Sequence, residues 1–246
     1  MKATDTDSSG EIFQHTKQLR AALLITAAGN SSRFGSENKK QFFPFYGETV
    51  LHHTFVPFIK IDLFEFYCMT IPPGYQKEAR IALGKRMIHT LGDRLVIADG
   101  GETRQESVLL GLKALSLFSP DIVLIHDGAR PRVTHKIIKS VYDKAVETGA
   151  SAPIIPSVDA MKTINSDGTI KAHLDRPVTV GIQTPQAYYF KDILEAYEKA
   201  ENDGYTYIDD SEIFHRYKGK VHTVEGDPEN AKITYYSDIT SEEAGK

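Results

Sequence analysis

Short apolar runs alternate with stretches of helical periodicity along most of this chain, and this alternation limits the possible folds more than any other feature. The runs have the length of buried strands, and the stretches between them place apolar residues three and four positions apart. Strands joined by helices call for right-handed crossovers and a mostly parallel sheet. We therefore predict one α/β domain over residues 19–246, with strands at 21–25, 64–71, 95–98, 121–125, 151–155 and 221–224 and helices at 49–60, 75–88, 104–118, 134–147, 191–202 and 208–217.

Residues 157–174 break this rhythm. Two short β-type runs, 161–164 and 169–174, flank Asn165-Ser166-Asp167-Gly168, and Asp-Gly between strands is a strong hairpin signal. The hairpin has little apolar content of its own, so it would be poorly stable alone. We expect an arm over about residues 156–178 that projects and packs on a second subunit. The pattern also allows an ordinary edge hairpin that folds back on the sheet.

The composition argues against several special classes of protein. The formal net charge is −4, whereas a protein that coats nucleic acid is basic, so we expect no nucleic-acid partner. No run of about 18 apolar residues occurs, so we expect no membrane span. Cys68 is the sole cysteine, which excludes an intrachain disulfide and favours a reducing, cytoplasmic location. Residues 1–18 are polar, and we predict a disordered extension there.

The first predicted strand is followed at once by small polar residues and then by cations. We name residues 27–41 the opening loop. Small residues let a ligand approach the backbone closely, and exposed backbone N–H groups in such turns form concave anion sites. Arg33 and Lys40 add positive charge. The opening loop therefore predicts a phosphate-handling site at the carboxyl end of the first strand.

Three further polar segments, at residues 100–107, 126–130 and 229–232, fall where an open α/β sheet binds its ligands. With the opening loop they supply one well-placed carboxylate, Asp127, and the cations Arg33, Lys40, Arg104, Arg130 and Lys232. The sequence contains neither a Gly-x-Gly-x-x-Gly fingerprint nor a P-loop. This set suits a polyphosphate with Mg²⁺ held by phosphate oxygens and one or two carboxylates. Phosphoryl-type transfer needs little more than alignment and charge stabilisation.

Each of these residues also has a structural interpretation. Loop cations such as Arg33 and Lys40 are usually solvated surface charges, and Asp127 could cap a turn. His126 beside Asp127 suggests a catalytic pair, but a histidine at the end of a strand is more often structural. Four polar segments at one edge of a sheet favour a site over these separate interpretations.

Five motifs follow one another at residues 27–41, 100–112, 126–131, 183–186 and 225–234. They read Ala-Ala-Gly-x-x-x-Arg-x-Gly-x-x-x-x-Lys-Gln, Gly-Gly-x-x-Arg-x-x-Ser-Val-x-x-Gly-Leu, His-Asp-x-Ala-Arg-Pro, Gln-Thr-Pro-Gln and Glu-Gly-x-x-x-Asn-x-Lys-x-Thr. Together they resemble the 2-C-methyl-D-erythritol 4-phosphate cytidylyltransferase family over about residues 21–240. The resemblance implies a single Rossmann-like nucleotidyltransferase domain with a β-hairpin arm. It also implies CMP transfer from CTP to the methylerythritol phosphate, with Mg²⁺ or another divalent cation.

The resemblance also implies a role for each matching residue. It implies catalytic roles on the reacting phosphates or the acceptor phosphate for Arg33, Lys40, Arg176 and Lys232. It implies nucleotide contacts for Ala27, Ala28, Gly29, Gly101, Glu102, Ser107 and Gly128. It places Asp127 at the divalent cation and, with Arg130 and Arg176, at the acceptor. In the family Arg130 and Arg176 come from the neighbouring subunit's side, which favours a homodimer formed through the arm.

Four positions depart from the family pattern. Lys39 replaces a usual proline and Ser31 a common glycine, both at loop positions that tolerate the change. Ala160 and Ile208 stand where acceptor-binding threonines are usual, and each lost hydrogen bond is worth about 1 kcal/mol. The acceptor is therefore the less defined substrate. Another polyol phosphate such as ribitol 5-phosphate is an alternative, and so is a non-catalytic nucleotide-binding protein.

Overall fold

An eight-stranded sheet organises the computed structural model, which describes residues 19–29, 31, 33–35 and 39–239. The predicted extension at residues 1–18 lies outside the described residues. The described strands are β1 Ala21–Thr26, β2 Pro44–Phe45, β3 Glu48–Thr49, β4 Phe66–Ile71, β5 Leu95–Asp99, β6 Ile122–Asp127, β7 Ala150–Pro156, β8 Lys162–Ile164, β9 Ile170–His173, β10 Val180–Ile182, β11 Gln186–Tyr189 and β12 His222–Glu225. The described helices are α1 Val50–Lys60, α2 Gln76–Leu83, α3 Lys85–Leu91, α4 Arg104–Leu115, α5 His135–Thr148, α6 Phe190–Asn202 and α7 Asp210–Tyr217.

The sheet has the strand order β10-β7-β11-β6-β1-β4-β5, and β12 pairs with β7. The pairs β1–β4, β1–β6, β4–β5 and β7–β12 are parallel, which confirms the predicted mostly parallel α/β fold. The strands β10 and β11 run antiparallel to their neighbours, and the sequence analysis did not predict them. Each has only three or four residues, which is too short for a periodic pattern to develop.

Helices cover both faces of the sheet. Successive residues of β1 point to opposite sides, so Leu23 and Ile25 join the core beneath α1, α2 and α5. Ala22 and Leu24 join the second core, beneath α4, α6 and α7. A fully buried leucine or isoleucine contributes about 1.5–3 kcal/mol to folding. Packing on two sides therefore fixes the central strands, and with them the loops at their carboxyl ends.

Helix boundaries follow local chemistry. Thr103 caps α4 in a capping box with Glu106, in which each side chain binds the other residue's backbone N–H. The predicted single helix at 75–88 is wrong: Gly84 has a φ of +82° and separates α2 from α3. Glycine adopts this φ without steric cost. In the described part of the chain, no helix has the length and apolar character needed to cross a membrane.

The strands β8 and β9 form the predicted arm. They pair with each other and, among the described residues, with no strand of the central sheet. Every residue of both strands is exposed. At the tip, the Gly168 N–H donates to the Asn165 carbonyl at 3.0 Å. The hairpin therefore projects, and the alternative of an edge hairpin folded back on the sheet is wrong.

Candidate active site

A cavity lies at the carboxyl ends of β1, β5 and β6. Because these strands point the same way, the loops that follow them meet at one edge of the sheet. The lining comes from the opening loop, the β5–α4 loop, the end of β6 and a late segment of the chain. The lining residues are Thr26, Ala27, Ala28, Gly29, Lys40, Gln41, Gly101, Glu102, Thr103, Arg104, Ser107, Asp127, Gly128, Ala129 and Lys232. The structure thus brings together the four polar segments singled out in the sequence.

Two glycines are required where the loops around this cavity touch. A Cβ on Gly100 would lie 2.3 Å from the Ala28 Cβ, and one on Gly128 would lie 2.9 Å from the Ala27 Cβ. Real Cβ atoms do not approach so closely, so these glycines allow the loops to pack against one another. Gly29, by contrast, has open space where a Cβ would be. Of the predicted nucleotide-binding glycines, it leaves the backbone most accessible to a ligand.

The β5–α4 loop is held from within. The Ser107 hydroxyl accepts the Gly101 N–H at 3.1 Å and donates to the Thr103 carbonyl at 2.8 Å. The Glu102 N–H donates to the Glu106 carboxylate at 2.7 Å, while the Glu102 side chain stays exposed. The predicted nucleotide contacts Gly101, Glu102 and Ser107 therefore lie together on one preformed wall of the cavity.

Asp127, the last residue of β6, is surrounded by cations. Its carboxylate lies 3.0 Å from the Lys232 Nζ, 3.1 Å from the Arg130 Nε and 3.4 Å from the Arg104 Nε. Burial alone would raise the pKa of Asp127, but Lys232, Arg104 and Arg130 outweigh it and hold that pKa well below its usual range. Asp127 is therefore a carboxylate anion at any physiological pH.

The opening loop places Lys40 in the cavity. The Lys40 ammonium donates to the Ile233 carbonyl at 2.8 Å. Burial, followed by repulsion from Lys232, lowers the pKa of Lys40 to about 8. Gln41 donates to the Ala27 carbonyl at 2.6 Å, and the Ser31 hydroxyl accepts the Lys40 N–H at 3.2 Å. Ser31 has a φ of +54°, a conformation that suits glycine better.

The remaining predicted catalytic cations lie outside the cavity of the single chain. Arg33 is exposed and does not line the cavity, although its charge lowers the pKa of Lys40. Arg176 is exposed on the arm. Of the four predicted catalytic residues, Lys40 and Lys232 lie in the cavity within one chain, whereas Arg33 and Arg176 do not.

Arg130, for which the resemblance implies a place beside a neighbouring subunit, contacts residues of its own chain. Its guanidinium binds Asp127 and donates to the Asn230 carbonyl at 2.8 Å, and only 12% of the side chain is exposed. These contacts lie within its own chain, and they hold the Asp127 carboxylate in place. The acceptor-binding role that the resemblance implies for Arg130 stays a prediction.

His126 is structural, as its position in the sequence indicated. It is fully buried, and its ring nitrogens contact the Thr184 hydroxyl at 3.0 Å and the Arg130 carbonyl at 3.1 Å. Burial lowers the pKa of His126 to about 4, so the ring is neutral near pH 7. Because it does not line the cavity, it has no access to a substrate proton.

The sequence analysis missed the partners that hold the site together. Asp210, at the start of α7, binds Arg104, and Gln183 and Asn230, quoted above only as motif positions, form a buried pair. Arg104 was noted only as one of several cations. A polar residue in a loop motif could signal such contacts, but the partner, 106 residues away for Arg104 and Asp210, cannot be identified from the pattern of one sequence.

Asp127 can serve a divalent cation only as a minor ligand. Among the described residues no group of three or more acidic, histidine or cysteine side chains could hold a metal ion. The Asp127 Oδ1 has one long contact, to Arg104, so it keeps lone pairs for a ligand. Mg²⁺ commonly binds through one or two carboxylates, substrate phosphates and water. The residues present fit that arrangement, with one carboxylate and no protein cage.

Comparison with known proteins assigns this site to a family. The family profile described as IspD, 2-C-methyl-D-erythritol 4-phosphate cytidylyltransferase, matches residues 21–245. The chain belongs to this family. A cytidylyltransferase of that name from Syntrophus aciditrophicus is 36% identical over 225 residues, which are 92% of this chain and 95% of that protein. The family resemblance predicted from the motifs is confirmed.

Solved structures and longer relatives agree with this assignment. The 4-diphosphocytidyl-2C-methyl-D-erythritol synthase of Anaerococcus prevotii matches with a TM-score of 0.79 at 26% identity, covering 93% of this chain and 96% of that one. The cytidylyltransferase of Thermus thermophilus matches with a TM-score of 0.73 at 29% identity, covering 92% and 98%. A bifunctional enzyme IspD/IspF from Bradyrhizobium is 37% identical over 92% of this chain and 56% of its own length. The chain spans about half the length of such bifunctional relatives.

Proposed function

We propose that this protein transfers CMP from CTP to 2-C-methyl-D-erythritol 4-phosphate. The products are pyrophosphate and 4-diphosphocytidyl-2-C-methyl-D-erythritol, a precursor in non-mevalonate isoprenoid synthesis. The observation that carries the proposal is the cavity itself, which gathers Lys40, Lys232 and the anionic Asp127 beside preformed loops, with no histidine base among its described lining residues. Such a cavity suits a reaction driven by charge stabilisation rather than by proton transfer.

The acceptor needs no side-chain base. A phosphate monoester has a second pKa near 6, so its oxygen is already largely anionic at pH 7. That oxygen attacks the α-phosphorus of CTP in line, forming the new P–O bond as the bond to the β-phosphate oxygen breaks. Pyrophosphate leaves with the electron pair of the broken bond. The enzyme has only to align the groups and stabilise the charge that grows on the phosphate oxygens.

The residues of the cavity divide this work. Lys40 and Lys232 supply positive charge to the phosphates, and the Gly101–Ser107 wall holds the nucleoside. Gly29 leaves room for the ribose and phosphates, and Gly128, packed against Ala27, meets them with its backbone. Arg130 and Arg104 keep Asp127 in place. A divalent cation, when bound by Asp127 and phosphate oxygens, would neutralise charge on the triphosphate.

The arm supplies the rest of the site in this proposal, as part of a cytoplasmic homodimer. Its exposed apolar side chains need a cover, and those above one-third exposed are Val158, Met161, Ile164, Ile170, Leu174 and Val178. Exchange of arms between two subunits would bury them and bring Arg176 to the neighbour's acceptor phosphate. This assignment explains why Arg176 lies apart from the cavity in one chain.

One experiment separates the proposed acceptor from its rival. Ile208 is 87% exposed and, like Ala160, offers no side-chain hydroxyl to a polyol, which leaves ribitol 5-phosphate as the alternative acceptor. Purified protein is given CTP, Mg²⁺ and each polyol phosphate, and pyrophosphate release is followed. We expect turnover to be fastest with the methylerythritol phosphate. Preference for ribitol phosphate would overturn the acceptor, and no turnover with either would favour a non-catalytic nucleotide-binding protein.

A further inference from the structure

Arg104 is a cavity cation to which the sequence analysis gave no catalytic, nucleotide-binding or acceptor-binding role. It is the first residue of α4, and its side chain lines the cavity. Its two terminal nitrogens donate to the two carboxylate oxygens of Asp210 at 2.8 and 2.7 Å. A forked pair of this kind fixes the plane of the guanidinium as well as its position.

Asp210 is anchored firmly. It is fully buried, and it also accepts a hydrogen bond from the hydroxyl of Tyr197, which is itself buried in the core. A buried carboxylate is tolerated only when its charge and hydrogen-bonding capacity are met, and removing one partner of such a pair is costly. Arg104 is therefore held at its far end by a carboxylate that cannot move into solvent.

The Nε atom of Arg104 contacts the Asp127 carboxylate. Its Nε lies 3.4 Å from the Asp127 Oδ1, whereas Arg130 and Lys232 both contact Oδ2. The two carboxylate oxygens thus have different partners, and the Oδ1 side is set by Arg104 alone among the ion pairs that the described residues form with Asp127. Two carboxylates flank one guanidinium, so a change in Asp210 is transmitted to Asp127.

We propose that Arg104 and Asp210 are positioning residues that orient the Asp127 carboxylate toward the divalent cation of bound CTP. This inference rests on the proposed function for its ligand. Asp210 fixes the guanidinium, the guanidinium fixes Oδ1, and Oδ1 keeps lone pairs for the cation. Neither residue contacts the reacting phosphorus in this scheme.

The test measures CTP binding without any acceptor, so it does not depend on which polyol is used. Calorimetry gives the Kd for CTP with saturating Mg²⁺ and with EDTA for the wild type, Arg104→Lys and Asp210→Asn. Arg104→Lys keeps the positive charge but loses the paired hydrogen bonds to the Asp210 carboxylate. We expect both variants to lose about tenfold in the Mg²⁺-dependent affinity, the size of one charge-assisted hydrogen bond, and to change little in EDTA.

Matched variants complete the design. Lys113→Gln breaks an exposed ion pair between the same helix and α6 and should change neither constant. Asp127→Asn removes the protein's carboxylate ligand and should give the largest loss of the Mg²⁺ effect in the series. In the double variant Arg104→Lys/Asp210→Asn, the two losses should overlap rather than add.

Several results would overturn the inference. The pair would be merely structural if both single variants lost the same CTP affinity with and without Mg²⁺, or if the effect of Mg²⁺ on affinity were unchanged. Loss of cooperative thermal unfolding in both variants would lead to the same conclusion. If the CTP affinity of the wild type did not depend on Mg²⁺, the divalent cation would have no part in the proposal and the inference would fail. A wild type that binds CTP with Mg²⁺ as expected but turns over no polyol phosphate would overturn the proposed function and leave this inference standing.

Discussion

Lys40 shows how its surroundings change the chemistry of a loop cation. In the sequence it could have been an ordinary surface charge, but the fold partly buries its ammonium beside Lys232 and Asp127. Burial and repulsion make the charged form less stable, while the Ile233 carbonyl and the Asp127 carboxylate retain it. The result is a cation whose charge is incompletely satisfied by the protein and is therefore available to a phosphate.

Removing this charge should affect turnover more than folding. We expect Lys40→Ala to lower kcat/KM by about 10²–10³-fold, the usual cost of losing one preorganised stabiliser of transition-state charge. Lys39→Ala is the matched control, because Lys39 is the adjacent cation and lies over the Tyr75 ring, outside the cavity. Initial rates of pyrophosphate release measure both. Equal losses in the two variants would contradict the role of Lys40.

The lowered pKa of Lys40 predicts an alkaline limit to activity. The pKa is about 8 in the free protein, so the cation is present below that pH and is lost as the pH rises through it. The profile of kcat/KM against pH reports groups of the free enzyme, and we expect it to fall above about pH 8. Lys40→Arg should move the fall to higher pH, since a guanidinium stays charged. If the alkaline fall of kcat/KM in Lys40→Arg stayed at the wild-type pH, another group would be responsible for it.

At the scale of elements, the arm stands out because its apolar side chains are exposed to solvent. Its strands pair in a register that sets Ile164 opposite Ile170, yet both side chains are more than half exposed. A two-stranded hairpin with solvent on both faces is marginal in water. The arm is therefore expected to take its stability from contact with a second subunit.

Charging this surface should separate the subunits. We expect the variant carrying Ile164→Lys and Ile170→Lys to sediment as a monomer at micromolar concentration, where the wild type sediments as a dimer, because buried like charges oppose association. Turnover should fall with the dimer, while the far-ultraviolet circular dichroism of the domain stays unchanged. Replacing the exposed Ile81 on α2 with lysine is the control. A monomeric wild type would refute the arm exchange.

The sequence predicts elements well where a local pattern determines them, and poorly where distant contacts do. The apolar run at 21–25 and the Asp-Gly turn of the arm carry their own signals, and both predictions are confirmed. β11 lacks such a signal, because its four residues become a strand only by pairing between β6 and β7. The link from Arg104 to Asp210 depends on how α4 and α7 pack, which no local pattern encodes.

At the scale of the whole molecule, His126 couples folding to pH. It lies in β6, and it is neutral because burial lowers its pKa to about 4. The unfolded chain takes up the proton near pH 6.5, so the stability that the neutral ring contributes is present above that pH and is lost as the pH falls toward 4. The hydrogen bonds to Thr184 and Arg130 keep the ring in place.

This coupling can be measured by denaturant unfolding. Between pH 7 and pH 5 the free energy of unfolding should fall by about 2 kcal/mol from His126 alone. His126→Gln should be less stable at pH 7 but show a correspondingly smaller dependence on pH. His89→Gln, at an exposed position on α3, should keep the wild-type dependence. A wild-type slope in His126→Gln would show that other groups carry the effect.

The late segment around residues 232–233 has a consequence for the order in which the protein is made. Lys232 binds Asp127 and Ile233 binds Lys40, and Ile233 packs in one apolar cluster with Phe34 and Val50. A chain emerging from the ribosome can assemble β1, β4, β5 and β6 first, yet the cavity stays open on one side until this segment follows. The growing protein thus acquires these four strands of its sheet long before it acquires Lys232, and catalytic competence is reserved for chains synthesised beyond this segment.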